Sequence, residues 1–283
     1  MKSCEKFVAP SSDYYNYTPT VSGRNAFFYP ICTGHFIYEP GYHQRRNLFD
    51  SFLLMYIQSG KLTVNMENDS QETDSGHFVL LDCYRPHGYR TDHGYECLWI
   101  HFDGPVARAW YEMAINHLGN IFSLHDPYPV LNKMLKIYHT FSGGETIREA
   151  LLSKQISDIL TSLILYAPLQ ADSHPQSNSM EEIVSYINEH FMEDITIDAL
   201  AKLAMLSPYH FIRTFKKETG FTPHEYVINT RIATARYMLR TTQMSVKDVC
   251  FQTGFSCESV FCTSFKKNTG TTPAEYRRQS LRF

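Results

Sequence analysis

The C-terminal part of the chain contains one sequence unit twice, and this duplication constrains the fold more than any other feature. Residues 211–220 read FIRTFKKETG and return fifty positions later as FCTSFKKNTG at residues 261–270. In both copies Thr-Pro and Glu-Tyr follow at the same offsets. Two copies at a fixed spacing predict two similar small folds, at about 198–220 and 246–270.

Each copy has the signals of a short helix, a tight turn and a longer helix. In the first copy Asp198 is expected to cap the short helix, and Ser207, followed by proline, to cap the longer one. In the second copy Ser245 or Asp248 is expected to open the short helix and Ser256 to cap the longer one. This order is typical of the helix-turn-helix motif, whose second helix enters the major groove of DNA.

The longer helix of each copy is predicted to have one buried and one exposed face. At about 100° per residue, the phenylalanines at 211 and 215, and those at 261 and 265, form a buried stripe. The candidates for DNA contact are the side chains on the opposite face and the two serines at the predicted helix starts. They are Ser207, Tyr209, His210, Arg213, Lys216 and Lys217 in the first copy, and Ser256, Ser259, Val260, Thr263, Lys266 and Lys267 in the second.

These side chains suit different parts of a DNA duplex. Arg213 can bind guanine through two hydrogen bonds, Tyr209 and Val260 can pack on thymine methyl groups, and Ser259 and Thr263 can hydrogen-bond either type of base. The lysine pairs at the far ends of the helices are better placed for phosphates. A lysine pair alone is more often a solvated face, but the recurrence of the pair on the side of the polar candidates favours phosphate contact.

The charge of the chain is divided between its two parts. Residues 196–283 contain 13 Lys and Arg against 6 Asp and Glu, a net charge of +7. Residues 1–195 contain 13 against 23, a net charge of −10. The basic part coincides with the duplicated unit, as phosphate binding requires.

The second copy carries a run of residues by which the chain resembles a known family. This run consists of Gly254-Phe255, Ser259, Phe261, Phe265-Lys266-Lys267, Gly270, Thr272-Pro273 and Tyr276-Arg277. It is similar to the signature of the AraC/XylS family of bacterial transcription regulators, over about the last hundred residues. The resemblance implies a DNA-binding domain over 180–283, in which two helix-turn-helix units are joined by a long helix, here 223–240.

The chain departs from this family at three positions of the second unit. Thr263 stands where members of the family often carry an arginine, and Cys257 and Cys262 stand where polar residues are more common. We therefore expect the first unit to contribute most of the sequence specificity. The arginines at 231, 236 and 240 are expected on the outside of the joining helix.

The N-terminal part is predicted to contain short strands followed by helices. Residues 52–57 and 61–66 are expected to form a hairpin around Gly60, 78–81 and 96–102 are further strands, and 85–89 is a turn. This spacing is typical of a small barrel or jelly roll. Helical periods follow at 106–117, 129–141 and 145–166, and the polar segment 171–179 is predicted to be a linker.

The order of these parts resembles the sugar-sensing members of the same family. This half of the resemblance rests on Arg46 before residues 49–54, on Gly60, on Gly76 before 78–81, on Pro86-His87 and on residues 99–104. It implies an α+β protein, with a cupin-like β-barrel and dimerisation helices over 1–170 and an all-α domain with two helix-turn-helix motifs after the linker. The implied role is that of a transcription activator.

The same resemblance implies the partners of the chain. These are double-stranded DNA, a small-molecule effector with a sugar as the leading candidate, RNA polymerase and a second copy of the chain. Sugars favour aromatic faces for their C–H sides and Arg or His for their hydroxyl groups. Candidate ligand contacts are Arg46, Tyr56, His87, Tyr89, Trp99 and His101. Strand alternation places Trp99 and His101 on one side, although a histidine or tryptophan in a strand is also often purely structural.

Catalysis and metal binding have no positive signal in the sequence. His43-Gln44-Arg45 lacks the second histidine of the His-x-His pattern that a metal-dependent cupin enzyme needs. No Ser/His/Asp arrangement, phosphate-binding loop or carboxylate pair stands out. We therefore expect neither an enzyme nor a bound cofactor. Two alternatives stay open: a DNA-binding dimer that needs no ligand, and a cupin-type enzyme that is targeted to DNA.

The cellular compartment is predicted from the cysteines and from the lack of long apolar runs. The seven cysteines show no zinc-binding spacing and are interpreted as reduced thiols. No apolar run reaches the roughly 18 residues of a membrane helix, and the first residues lack the apolar stretch of a secretory signal. A cytoplasmic protein without membrane contact is therefore expected.

Overall fold

The structure falls into two compact units. It is a computed structural model that describes residues 1–3, 5–67, 69–166 and 180–280. Described residues up to 166 belong to the first unit and those from 180 onward to the second. The predicted linker at 171–179 lies outside the described residues. None of the helices in these ranges is both long and apolar enough to cross a membrane.

The first unit is built on antiparallel strands. Nine strands occur among its described residues. They are β1 (Asp13–Asn16), β2 (Tyr29–Tyr38), β3 (His43–Arg46), β4 (Phe52–Met66), β5 (Asp69–Asp74), β6 (Phe78–Asp82), β7 (His87–Arg90), β8 (Tyr95–Asp103) and β9 (Ile121–Phe122). One sheet has the order β1-β2-β8-β4-β6-β9, and the other joins β3, β7, β4 and β5.

Strand β4 is shared by both sheets, and here the predicted hairpin is wrong. Residues 52–57 pair with β6 and β8, whereas residues 61–66 pair with β5 and β7, so the two halves are one continuous strand. The pairing with β8 shifts register between Ile57 and Ser59, and Gly60, which follows, has a φ of +84°. Glycine permits this backbone conformation without a Cβ clash, so it marks a corner between sheets and not a reversal of the chain.

The predicted turn at 85–89 is also wrong at its C-terminal end. His87 begins β7, which pairs with β3 and with the second half of β4. Strand β5 has no counterpart in the sequence analysis. Its residues are almost all exposed, because it lies at the edge of the second sheet and has no apolar alternation. Backbone pairing, and not side-chain burial, therefore defines this strand.

The first sheet is buried on both of its faces. Leu53, Met55 and Ile57 of β4 belong to the apolar interior between the two sheets. Phe52 and Leu54, which alternate with them, pack against the helices of this unit. The central strands are therefore apolar at nearly every position, as expected for a sheet that is covered on both sides.

Four helices accompany the strands. They are α1 (Val21–Ala26), α2 (Ala107–Leu118), α3 (Tyr128–Ser142) and α4 (Glu149–Leu165). The last three match the predicted helical segments, except that α4 begins at Glu149 and not at residue 145. Buried residues of α3 and α4 join the apolar cluster on the outer face of the first sheet.

The second unit is entirely helical in its described residues. It consists of α5 (Met180–His190), α6 (Ile197–Leu203), α7 (Pro208–Thr219), α8 (Pro223–Thr241), α9 (Val246–Gln252), α10 (Glu258–Thr269) and α11 (Pro273–Ser280). The pairs α6–α7 and α9–α10 are the two predicted helix-turn-helix units, and α8 is the joining helix. The α+β fold class is therefore confirmed.

Two of the predicted helix caps are wrong. Thr196, not Asp198, accepts the capping hydrogen bond of α6, from the backbone N–H of Ala199. Helix α10 begins after Cys257 and has no side-chain cap bond, so Ser256 lies one residue before the cap position. The fifty-residue offset pairs Ser207 with Cys257. The general preference for serine at caps therefore led to the wrong residue.

Candidate nucleic-acid interface and effector cavity

Helix α7 presents the predicted DNA-contact face of the first helix-turn-helix unit. The Ser207 side chain accepts a hydrogen bond from the backbone N–H of His210 at 3.4 Å and thereby caps the helix. Phe211 and Phe215 are fully buried, and their rings lie 5.5 Å apart. The opposite face is exposed and carries all of the candidates of the first copy.

The exposed face of α7 is free to meet a ligand. Tyr209 is 79% exposed, although a tyrosine ring is usually at least half buried. Arg213, Lys216 and Lys217 are exposed, and none of them forms an ion pair within the described residues. The lysine pair lies in the last turn of the helix. Unpaired cations on a solvated face are what phosphate contact requires.

Helix α10 repeats this arrangement with a different chemistry. Phe261 and Phe265 are fully buried, while Lys266 and Lys267 are exposed. The middle of the exposed face is a shallow depression lined by Ser259, Val260, Thr263 and Ser264. The hydroxyl of Thr263 donates to the carbonyl of Ser259 at 2.8 Å, so its proton is already used inside the helix. This face lacks the cation that Arg213 provides in the first unit.

The arginines of α8 contact neighbouring elements. Arg236 and Arg240 are exposed on the outside of the helix, as predicted, whereas Arg231 is not. Arg236 donates to the hydroxyl of Tyr276 at 3.0 Å, and the guanidinium of Arg240 lies 4.7 Å from the centre of the same ring. Arg231 is half-buried and donates to two backbone carbonyls of the loop after α5. These partners of the arginines are backbone carbonyls or a ring about 40 residues away in the chain, so local sequence could not have identified them.

The N-terminal compact unit contains a cavity of about 410 Å³ between its sheets. Aromatic rings form much of its wall, and polar side chains are interspersed among them. Its lining includes Glu5, Tyr42, Arg46, Tyr89, Trp99 and His101. Four of the six predicted ligand contacts therefore surround one space. Its volume lies near the lower end of the usual range for small-molecule pockets.

Arg46 supplies the positive charge of the cavity. Its guanidinium lies 5.3 Å from the centre of the Phe49 ring, and its Nη2 is 3.9 Å from Oε1 of Glu5. The hydroxyl of Tyr42 donates to the other oxygen of Glu5 at 3.1 Å. The sequence analysis missed Glu5 because nothing local shows that the N-terminal segment reaches the cavity. Backbone pairing holds this segment there, for example from the N–H of Ala9 to the carbonyl of Ile37.

His101 is a neutral polar group in the cavity wall. Its Nδ1 is 2.8 Å from the hydroxyl of Ser51, which leaves Nε2 for a ligand. Burial lowers the pKa of His101 to about 3, and the positive charges of Arg46 and His87 add to this effect. An uncharged imidazole hydrogen-bonds hydroxyl groups without introducing a second charge next to Arg46.

The remaining ligand candidates divide between the cavity and other sites. Trp99 and His101 both line the cavity, as strand alternation predicted, and Tyr89 lies in the same wall. Tyr56 instead packs on Phe78, on the face of the sheet that meets the helices. His87 lies at two other surface depressions, and its Nδ1 is 2.8 Å from the carbonyl of Arg85.

Comparison with known proteins agrees with this division of the chain. The family described as "AraC-like ligand binding domain" matches residues 30–161, and the family described as "Helix-turn-helix domain" matches residues 200–279. The MmsAB operon regulatory protein of Pseudomonas aeruginosa is 24% identical over 263 residues, which are 89% of this chain and 83% of that protein.

Two other relatives match over shorter stretches of the chain. AdaA of Bacillus subtilis, a bifunctional transcriptional activator and DNA repair enzyme, is 39% identical over 106 residues, or 38% of this chain and 50% of AdaA. The transcriptional activator RhaS of Escherichia coli (strain SE11) is 28% identical over 136 residues, or 48% of this chain and 49% of RhaS. The chain thus spans about half the length of these two relatives. With its ligand-binding domain followed by a helix-turn-helix domain, the chain belongs to the AraC family.

Proposed function

We propose that the protein is a sequence-specific, DNA-binding transcriptional regulator that responds to a small molecule. The observation that carries this proposal is the repeated design of α7 and α10. Each helix buries a pair of phenylalanines, exposes a face of polar side chains and ends in two exposed lysines. Because the two helices are built alike and belong to a segment of net charge +7, they suit two successive major-groove contacts.

The two units contribute unequally to sequence recognition in this proposal. Arg213 is exposed and forms no ion pair with another described residue, which suits a bidentate contact to guanine. In the second unit the corresponding Thr263 has its hydroxyl proton bonded to Ser259, and Val260 is half-exposed and suits thymine methyl contact. The first unit therefore reads bases through charge and hydrogen bonds, and the second mainly through shape and apolar contact.

The proposed effector is a small polar metabolite, with sugars as the first candidates. Aromatic walls can cover the C–H faces of a sugar ring, while Arg46, Glu5 and the neutral His101 can bond its hydroxyl groups. Glu5 accepts hydrogen bonds and Arg46 donates them, so the cavity offers both partners that a hydroxyl group needs. A ligand with several hydroxyl groups uses this pairing better than an apolar one.

The proposed regulator acts as a homodimer in the cytoplasm and activates transcription through RNA polymerase. Leu151 and Leu165 are exposed on one side of α4, and a second copy of the chain would cover them. Activation is proposed because AdaA and RhaS are named transcriptional activators. Effector binding must favour one arrangement of the DNA-binding domains over another, with a coupling free energy of about 1–3 kcal/mol.

A binding selection tests the DNA part of this proposal. A randomised duplex library is titrated with the purified full chain at two salt concentrations, and we expect a bipartite motif to be enriched. Arg213→Ala should cost about 1–3 kcal/mol on that motif and relax the preference at one base pair. Lys217→Ala is the matched control, since it should weaken all duplexes alike and lower the salt dependence. Equal losses on specific and random DNA in the Arg213 variant contradict the assignment.

A second titration tests the effector. The best duplex is titrated again in the presence of single sugars, and thermal stabilisation of the protein is measured with the same panel. One sugar should both stabilise the protein and change its DNA affinity, and Arg46→Met should abolish both effects without changing DNA binding in the absence of sugar. If no compound of the panel stabilises the protein, the ligand-independent dimer is the better description.

A further inference from the structure

The two helix-turn-helix units have separate apolar cores, and α8 runs through both. Val227 of this helix packs with Phe211 and Phe215 in the first core. Ile232 and Leu239 pack with Phe261 and Phe265 in the second. If α8 were the only connection, the angle and distance between the units would depend on the stiffness of one helix. The structure shows a second connection beside it.

Arg231 of α8 holds the loop that follows α5. Its Nε donates to the carbonyl of Phe191 and its Nη2 to the carbonyl of Glu193, each at 2.7 Å. Helix α5 packs with the first helix-turn-helix unit, because Ile183 and Ile187 lie in the first core. The planar guanidinium satisfies two carbonyls at a helix end at once, a geometry that lysine cannot reproduce.

The second helix-turn-helix unit also contacts this loop. The guanidinium of Arg231 lies 5.7 Å from the centre of the Phe255 ring, and Phe255 belongs to the second core. Gly254, in the turn between α9 and α10, has a φ of +83°. A Cβ at this position would lie 2.8 Å from both the Cα and the carbonyl oxygen of Met192. The backbone of residues 191–193 therefore contacts both α8 and the turn of the second helix-turn-helix unit, although Met192 and Glu193 are exposed.

We propose that Arg231 and the loop 191–193 form an inter-unit clamp that fixes the spacing and orientation of the two recognition helices. Arg231 is then a positioning residue, which sets how far apart two DNA sub-sites must lie without touching either of them. The DNA part of this inference rests on the proposed function, whereas the rigidity of the pair does not.

The clamp matters because a second contact on the same DNA molecule is an intramolecular event. When two binding modules are rigidly spaced, the second contact is strong at one separation of the sub-sites and is lost when the separation is wrong. When the modules are loosely joined, the second contact adds less affinity, but more separations of the sub-sites are tolerated. A clamped pair therefore discriminates spacing, and an unclamped pair does not.

Spacer variants of the selected duplex test this discrimination. One base pair is inserted between the two sub-sites, and the ratio of affinities for the original and the inserted duplex is measured. The wild-type ratio should be about tenfold or more, and Arg231→Ala should lower it to about threefold or less. Arg231→Lys should behave like the alanine variant if the planar fork is what matters. A variant that is merely less stable binds both duplexes less well and leaves the ratio unchanged.

Arg236→Ala is the matched control. Arg236 lies on the same helix, and its replacement also removes a hydrogen bond and a ring contact. Both of these contacts are to Tyr276, inside the second helix-turn-helix unit. Its ratio should equal that of the wild type. Equal ratios in all four proteins overturn the clamp, whereas a wild-type protein without any site preference overturns the proposed function.

A distance measurement tests the clamp without DNA. Nitroxide labels are attached through encoded ketone residues at Lys202 on α6 and Lys247 on α9, which are both exposed. Pulsed dipolar spectroscopy on the full chain should give a narrow distance distribution for the wild type and for Arg236→Ala, and a broad one for Arg231→Ala. An unchanged narrow distribution in the Arg231 variant refutes the inference, even if DNA binding is normal.

Discussion

The buried imidazole of His101 makes the stability of the N-terminal unit depend on pH. Its pKa is lowered from 6.5 to about 3, first by burial and then by the charges of Arg46 and His87. Below pH 6.5 the unfolded chain binds a proton at this residue and the folded chain does not. The stability contributed by the neutral ring is therefore present above the unfolded pKa and is lost as the pH falls towards the folded pKa.

The size of this effect follows from the two pKa values. Between pH 7 and pH 5 His101 alone should lower the free energy of unfolding by about 2 kcal/mol, and the total loss approaches about 5 kcal/mol below pH 3. Both tryptophans of the protein, Trp99 and Trp110, lie in the N-terminal unit. Urea unfolding followed by tryptophan fluorescence therefore reports on this unit alone.

The test compares the wild type with His101→Asn across the range from pH 7 to pH 5. Asparagine keeps a polar atom near Ser51 but cannot be protonated there. As the pH falls from 7 to 5, the free energy of unfolding of the wild type should therefore fall by about 2 kcal/mol relative to that of His101→Asn. His43→Asn, at an exposed position, should run parallel to the wild type. A wild-type curve parallel to that of His101→Asn would show that the ring is protonated or solvated in the folded state.

Two further predictions concern the backbone and the helix caps. Gly60→Ala should destabilise the N-terminal unit by about 3 kcal/mol or more, because the residue has a φ of +84° and a Cβ there would lie 2.6 Å from the Cα of Tyr95. Gly76→Ala, with a φ of +89° and open space around the Cβ, should cost only about 1 kcal/mol in the same fluorescence assay. Ser207→Ala should speed amide exchange in α7 by the equivalent of about 1 kcal/mol, whereas Ser256→Ala should leave α10 unchanged. The cap assignment is contradicted if Ser256→Ala speeds exchange in α10, relative to the wild type, as much as Ser207→Ala speeds it in α7.

Local patterns predicted the helices of the C-terminal unit and their buried faces, but not all of their caps. The period of the phenylalanines identified the buried faces of α7 and α10. Ser207 was correctly assigned as a cap, and Ser245, one of two candidates, caps α9. These features depend on residues within one or two turns of each other, so the sequence contains all of the information that fixes them. The error at Ser256 arose where residue preference was followed instead of the repeat.

Local patterns were not sufficient for the ligand candidates. In a sheet covered on both sides, a central strand is apolar or aromatic at nearly every position. Alternation therefore separates the two faces but does not show which of them is the interior. Tyr56 therefore looked as suitable as Trp99, although Met55 is the residue that pairs with Trp99 on the cavity side. The inner face became known only when the second sheet was in place.

The sequence by itself determined the order of the parts, the duplicated unit, its buried and exposed faces and the division of charge. Each of these follows from periodicity or composition along a short stretch of chain. The tertiary structure alone decided that β4 passes from one sheet to the other, that Glu5 reaches Arg46, and that Arg231 holds the loop after α5. These contacts join residues about 40 positions apart in the chain, or join strands through backbone hydrogen bonds, and neither kind of contact leaves a periodic trace in the sequence.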